Sequence, residues 1–416
     1  MYNIISLESL CKEIIDCPHS TPKWQNEGIP VIRNYNLKDG KIDCTNLSFV
    51  SEEDYNERVK RAIPEESDII ISREAPMGVV GIIPEGFQCC LGQRLVLLKI
   101  DKSKCIPTYL LYSLMSEYVQ LQIRRINRTG SIVSNLNISS LKELKILLHN
   151  FEEQSKIATI LSSIDDKISL NNQINQELEA MAKTLYDYWF VQFDFPDQNG
   201  KPYKSSGGKM VYNPELKREI PEGWGVETLK DFESKIITGK TPSRANSDNF
   251  GGEIPFITIG DIRGNTFIYS TSETLTDLGA SVQQNKYLPE GSLCVSCIAT
   301  VGEIGFTTEW SHTNQQINSI VFEDENNRYY LYFALKNYFE NANASAKTGN
   351  TFANMNKEDF SGIRIILPRN EITNNFHKMT EPYFAQIKCL QGQNQELTQL
   401  RDWLLPMLMN GQVKVE

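Results

Sequence analysis

The chain repeats itself at a fixed distance. RTGSIVSNLNISSLKELKILLHN, from Arg128 to Asn150, aligns without a gap on KTGNTFANMNKEDFSGIRIILPR, from Lys347 to Arg369. Thr129, Gly130, Asn135, Asn137, Ile146 and Leu148 recur as Thr348, Gly349, Asn354, Asn356, Ile365 and Leu367, each 219 positions on (348 − 129 = 219). The same shift carries Asn175-Gln-Glu-Leu onto Asn394-Gln-Glu-Leu, and Leu185 onto Leu404. Upstream the match continues with small gaps. STPKW from Ser20 resembles KTPSR from Lys240, GIPVIRNYNLKDG resembles EIPFITIGDIRGN, and PEESDIIISREAPMGVVG resembles PEGSLCVSCIATVGEIG. A register this long implies two copies of one structural unit, and 416 residues suffice for two or three domains.

Each copy reads as a β-rich block followed by a long helix. DIIIS, RLVLLKI, LCVSCIA and INSIVF are short β-branched runs bounded by Gly, Pro and Asn. Behind each block the period changes. An apolar 4-3 rhythm runs Ile157, Leu161, Ile164, Ile168, Asn171, Asn175, Leu178, Ala182, Leu185, Trp189, and a second runs Phe376, Thr380, Tyr383, Ile387, Leu390, Asn394, Leu397, Arg401, Leu404, Leu408. That spacing makes a coiled-coil seam. The first helix, from about Ser155 to Trp189, carries the chain from one block to the next, so a second helix that returns along it must be antiparallel. Pro406 should end or kink the second near its last turn. The expected fold class is α+β: two β-rich blocks joined by two long helices packed as an antiparallel coiled coil, with pseudo-two-fold repetition. The other arrangement open to this pattern docks each helix on its own block. Residues 193–226, rich in Gly, Pro, Lys and Ser, read as a linker loop.

Charge and cysteines narrow the function classes. The net charge of −10 argues mildly against a protein that wraps DNA unaided. Residues 1–150 nevertheless carry 18 Lys+Arg against 18 Asp+Glu, whereas residues 151–200 carry 3 against 9. The first block can therefore hold a basic face while the acidic helix stays clear. The nine cysteines have no framework spacing, and Cys11, Cys17, Cys44, Cys89, Cys90, Cys105 and Cys389 are expected as free buried thiols. Cys294-Val-Ser-Cys297 has zinc-ligand spacing, but it lies in a strand-like run with only His312 near. No apolar run approaches membrane-spanning length, and Glu8 interrupts any signal-like start, so the cytoplasm is expected.

Motifs for catalysis are missing. No Asn-Pro-Pro-aromatic motif of adenine methyltransferases occurs, and no G-x-G-x-x-G follows a strand. Gly239-Lys240-Thr241 imitates the end of a P-loop, but Ser234 stands where its first glycine belongs, and Pro242 disfavours the helix that must follow. Asp165-Asp166-Lys167 mimics part of a nuclease motif within the coiled-coil helix, where it should solvate the surface. Tyr186, Tyr188, Trp189 and Phe190 form an aromatic group suited to core or to a partner interface.

Several motifs combine with the repeat. TGKTPSR and GEIPFITIGDIRG open a block, GSLCVSCIATVGEIG and NQQINSI lie within it, and the linker KPYKSSGGKMVYNPELKREIPEGW and the ending LRDWLLPMLMNGQVKV complete the set. With FEEQSKIATILSSIDDKISLNNQINQELEAMAKTLYDYWFVQFDF, the chain resembles the specificity subunits of type I restriction-modification enzymes. That resemblance implies a target-recognition domain at 1–150, a central helical region at 151–192, the linker at 193–226, a second recognition domain at 227–370 and a C-terminal helical region at 371–416. It implies a non-catalytic subunit that binds double-stranded DNA at a bipartite asymmetric target. Two methyltransferase subunits would carry S-adenosylmethionine, two motor-nuclease subunits ATP and Mg, and the chain itself no cofactor or metal. The rival reading is a duplicated coiled-coil scaffold without DNA contact, against which the dense loop arginines of the first block count.

DNA reading needs polar and basic side chains aimed at base edges, with small residues near phosphates. In the first block the expected carriers are Lys23, Arg33, Asn34, Asn36, Arg73, Gln93, Arg94, Arg124, Arg125, Arg128, Thr129, Gly130 and Ser131. In the second they are Lys240, Thr241, Ser243, Arg244, Thr258, Arg263, Asn314, Gln315, Gln316, Lys347, Thr348, Gly349, Asn350 and Thr351. Asn135/Asn354 and Asn137/Asn356, shared by both copies, suit caps or turns. A base-reading residue should instead differ between the blocks.

Overall fold

The computed structural model describes residues 2–74, 76–129, 135–346 and 354–415. The chain divides into two compact units, one of residues 1–167 with 397–416 and the other of 168–396. Both are built on one plan. In the first, a four-stranded sheet has the spatial order Cys11–Asp16, Leu95–Ile100, Ile69–Ser72, Val80–Ile82. In the second, the order is Ile236–Thr238, Ile317–Ile320, Leu293–Ser296, Ile304–Thr307, with Phe267–Ile268 added at the edge. A smaller sheet accompanies each. Ile29–Ile32 runs between Ser48–Val50 and Cys90–Leu91, as Phe250–Ile257 runs between Glu273–Leu275 and His312–Thr313. The β-rich block within each unit is closed by its ends: Asn3–Ser6 pairs with Lys145–Leu148, and Gly225–Thr228 with Arg364–Leu367.

The repetition reaches individual hydrogen bonds. Ser72 Oγ donates to the Pro76 carbonyl (2.6 Å) and accepts the Val79 N–H (2.9 Å). Ser296 Oγ makes the same two bonds, to Thr300 (2.6 Å) and from Glu303 (2.9 Å), at the same sequence steps. Gly78 and Gly302 follow with φ of 84° and 94°, the left-handed region that glycine enters without a Cβ clash. Tyr109 and Tyr330, both buried, donate to the carbonyls of Leu147 and Ile366. Burying a tyrosine is favourable when its hydroxyl finds such a partner.

The long helices are Phe151–Tyr186 and Asn370–Met409, 36 and 40 residues. Within the second unit, Asn171 Nδ2 donates to Asn394 Oδ1 at 2.8 Å, while the Tyr186 and Trp189 rings meet Phe376 at 6.3 and 5.9 Å. Within the first, Arg401 Nη1 donates to Asp165 Oδ1 at 2.9 Å, and His149 Nε2 lies 3.0 Å from the Met409 carbonyl. Numbers rise on one helix as they fall on the other, so the pair is antiparallel, and every position of both expected seams is buried or half-buried. The second helix continues past Pro406 to Met409.

Three expectations need correction. Asp165 does not solvate the helix: it is 7% exposed and binds Arg401 and the Tyr112 hydroxyl (2.6 Å). Seven cysteines are buried free thiols, but Cys44 and Cys389 are exposed. Residues 210–213 and 218–221 of the boundary segment form an antiparallel hairpin rather than loop alone. Phe193, Phe195 and Trp224 anchor that segment in the second unit's core, alongside Tyr186, Trp189 and Phe190, whereas Tyr188 is exposed. Among the described residues no helix is long and apolar enough to cross a membrane.

Candidate nucleic-acid interface

In the first unit, segments remote in sequence meet around Glu74. Its carbonyl accepts from Asn34 Nδ2 at 2.5 Å, and its carboxylate pairs with Arg94 (3.2 Å) and accepts from Asn135 (3.0 Å). Next to it, Arg73 grips both oxygens of Asp16 at 2.7 Å and reaches the Leu136 carbonyl at 3.1 Å. Gln93 ties the loop at His19 by donating to its carbonyl at 2.5 Å. Arg94 has φ 69°, in the left-handed region, and its side chain is exposed beside Glu74. Loops beginning near residues 19, 33, 73 and 93 thus form one surface.

The side chains on that surface differ in what they can offer. Asn36 is 1% exposed; it accepts the Arg33 N–H (3.0 Å) and donates to the carbonyls of Asp43 and Asn46, so it shapes the turn. Lys23 is exposed, its N–H on Asp54. Arg33 is exposed, with its guanidinium carbon 5.1 Å from the Trp24 ring centroid and 4.9 Å from that of Tyr35. Arg124 pairs with Glu117, and Arg125 also has a partner. The helix Glu117–Thr129 contains Arg128 and Thr129, whose side chains lie outside the described residues, as do Gly130 and Ser131.

The second unit assembles the corresponding loops. Lys240 N–H donates to the Thr313 carbonyl at 3.1 Å, and the Thr241 hydroxyl donates to Gln315. Asn314 accepts the Gln316 N–H (2.9 Å) and donates to the Gln316 side chain (3.1 Å). Thr258 is fixed by Asp261, which accepts from its N–H and its hydroxyl at 2.7 Å each. Arg244 forms a fork on Glu273, two bonds of 2.7 Å, above the Phe250 ring. Arg263 reaches Glu303 (3.3 Å) and Thr300 (3.1 Å). Ser243 is exposed. Lys347, Thr348, Gly349, Asn350 and Thr351 lie outside the described residues.

One positioning residue gave no sequence signal. Arg58 is 6% exposed and spans the Leu91 carbonyl (2.9 and 3.2 Å) and the Ser20 carbonyl (3.2 Å), fixing the loop that carries Lys23 and Trp24. It stands in the charged run EEDYNERVKR, where a solvated arginine looks the same. The corresponding residue of the second unit, Gln283, is 2% exposed with no hydrogen-bond partner on either amide atom. Asn137 and Asn356 are N-caps, accepting the N–H of Ser140 and Asp359 at 2.8 Å. Asn135, by contrast, joins the Arg73–Glu74 cluster. The Cys294 and Cys297 thiols are pushed up by burial to about 12 and 11, and Cys294 lies in the strand Leu293–Ser296.

Two copies of one scaffold, each gathering polar loops on one surface, agree with the sequence comparison. The profile described as a type I restriction modification DNA specificity domain matches residues 5–180 and again 221–399. The chain belongs to that family. Among its relatives, the type I restriction enzyme HindI specificity subunit of Haemophilus influenzae is 32% identical, over 77% of this chain and 80% of that protein. The MjaIX specificity subunit of Methanocaldococcus jannaschii is 29% identical, over 84% of this chain and 78% of that one. The crystal structure of the type I restriction-modification S subunit from M. genitalium shares the fold with a TM-score of 0.52 at 16% identity, covering 98% of this chain and 96% of that one. In this specificity-domain family, then, the two profile matches each span one β block and the greater part of the helix behind it.

Proposed function

We propose that this chain holds and reads double-stranded DNA for a type I restriction-modification complex, each loop surface recognising one half of a bipartite target. The recognition domains are residues 1–150 and 227–370, with helical regions at 151–192 and 371–416 and the linker at 193–226. One observation carries the reading most: four separated loops per unit converge, and the side chains they display differ between units although the frame beneath them is the same. Different surfaces on equal frames suit an asymmetric target.

The chain contributes positioning rather than chemistry. Adenine methylation belongs to two methyltransferase subunits with S-adenosylmethionine, and translocation and cleavage to two motor-nuclease subunits using ATP and Mg, all in the cytoplasm. A net charge of −10 favours DNA binding with partners loaded rather than alone. The test is to co-express the chain with its methyltransferase subunits in a methylation-free host and map methylated adenines. A bipartite motif should appear, and replacing residues 227–370 by a relative's block should change one half-site only. Methylation independent of this chain, or both half-sites changing together, would defeat the reading.

A further inference from the structure

We infer that Arg33 reads a guanine in the half-site of the first block, its guanidinium held for that task by Trp24 and Tyr35. The inference rests on the DNA-reading function proposed above. Arg33 precedes the short helical turn Asn34–Asn36, and its backbone is pinned by Asn36 Oδ1 at 3.0 Å. Asn34 is tied to the Glu74 carbonyl, so the turn cannot swing freely. The guanidinium lies within 5.1 Å of both ring centroids, and Nη1 donates to the Tyr35 hydroxyl at 3.3 Å. That hydroxyl lies 3.4 Å from Ser48 Oγ, which steadies the ring in turn.

The rings hold the cation without consuming it. Contact with an aromatic ring leaves most of the guanidinium's in-plane donors open, whereas a carboxylate occupies the donor fork. The contrast within this protein is direct. Arg73 is spent on Asp16, Arg94 on Glu74, Arg124 on Glu117, Arg244 on Glu273 and Arg263 on Glu303. Among the described residues no carboxylate lies within ion-pair distance of Arg33. Trp24 is 44% and Tyr35 53% exposed, so the trio is not serving a core. An arginine fork matches the O6 and N7 acceptors of guanine in the major groove. The second block confirms that the frame does not require this residue: its corresponding position is Thr258, whose hydroxyl is spent on Asp261.

The experiment uses the full chain with its methyltransferase subunits and duplexes carrying the target mapped by adenine methylation. Affinities are compared for that duplex and for each single base-pair replacement. The unaltered complex should discriminate roughly 10- to 100-fold at a guanine of the first half-site, as a bidentate arginine contact does. Arg33→Ala should reduce that preference to about one, leave the other positions unchanged and retain the thermal melting curve. Trp24→Leu with Tyr35→Leu should lower the same preference partly, because the fork remains but is no longer oriented. An Arg33→Ala complex that keeps every preference, or weakens equally on all duplexes, overturns the assignment in favour of solvent or phosphate contact. Absence of any sequence preference in the unaltered complex would instead sink the DNA-reading function itself.

Discussion

The two loop surfaces rest on matching supports and display different groups. Ser72 and Ser296 lock the same turn, Asn137 and Asn356 cap the same short helix, and Asn36 and Asp261 fix the same corner. On top, the first block shows an arginine between exposed rings, whereas the second folds its Arg244 onto Glu273. The helices behind the blocks show a similar relation. Asp165 is tied to Arg401 and Tyr112 in the first unit, and Glu179 to Lys336 and Tyr332 in the second, with different geometry but similar chemistry. Supports must satisfy buried backbone and charge and therefore tolerate little change, while exposed tips carry no such obligation.

The ionic supports should give the largest effects. Arg401→Ala strands the buried Asp165 carboxylate without its cation. We expect a loss of about 3–5 kcal/mol in urea unfolding, since removing one partner of a buried pair leaves its charge uncompensated. A loss no larger than that of a surface residue would show that this pair is not the first unit's counterpart to the Glu179 pair.

Glu179→Gln should cost somewhat less, about 2–3 kcal/mol at neutral pH, because Glu179 and Lys336 keep 26% and 31% side-chain exposure. Burial raises the Glu179 carboxyl, but the Lys336 charge and the hydrogen bonds from Lys336, Tyr332 and Thr266 outweigh it and hold it below the ordinary value of 4.5. A depressed carboxylate stabilises the fold above its unfolded pKa and loses that contribution as pH falls through the folded one. The difference between the two proteins should therefore shrink as pH is lowered beneath 4.5. A constant difference across pH would remove the charge from the explanation.

The common turn gives a finer comparison. Ser72→Ala and Ser296→Ala each leave a carbonyl and an N–H without their hydroxyl partner, at about 1–2 kcal/mol apiece. Equal losses would support equal frames, and a several-fold inequality would break the equivalence. The smallest effects should come from Asn137→Ala and Asn356→Ala, each about 1 kcal/mol for a lost N-cap bond. Circular dichroism melts of both variants would check that the two caps match.

Much of this was legible beforehand because it depends on periodicity. The 219-residue offset fixed the duplication, the β-branched runs became the central strands, and the 4-3 rhythm marked helix faces that are buried. Capping asparagines were readable because an N-cap acts within three residues. The burial of Asp165 is not legible in the sequence because its partners, Tyr112 and Arg401, lie 53 and 236 positions away. The boundary segment's anchors are hidden for a similar reason, since its Gly and Pro content masks three aromatics that only a distant core explains.

By itself, then, the sequence determined the repeated α+β architecture and its two long helices, which follow from local pattern, while contacts such as Asn171–Asn394 and Asp165–Arg401 decided that the helices pair. Only the tertiary structure decided which polar residues face outward. Asn36, Arg73 and Arg33 look alike as loop residues, yet one is enclosed by backbone carbonyls, one is gripped by Asp16 and one lies open between two rings. A side chain's availability depends on what lies opposite it in space. Those partners come from segments dozens of residues away, and no periodicity along the chain encodes them.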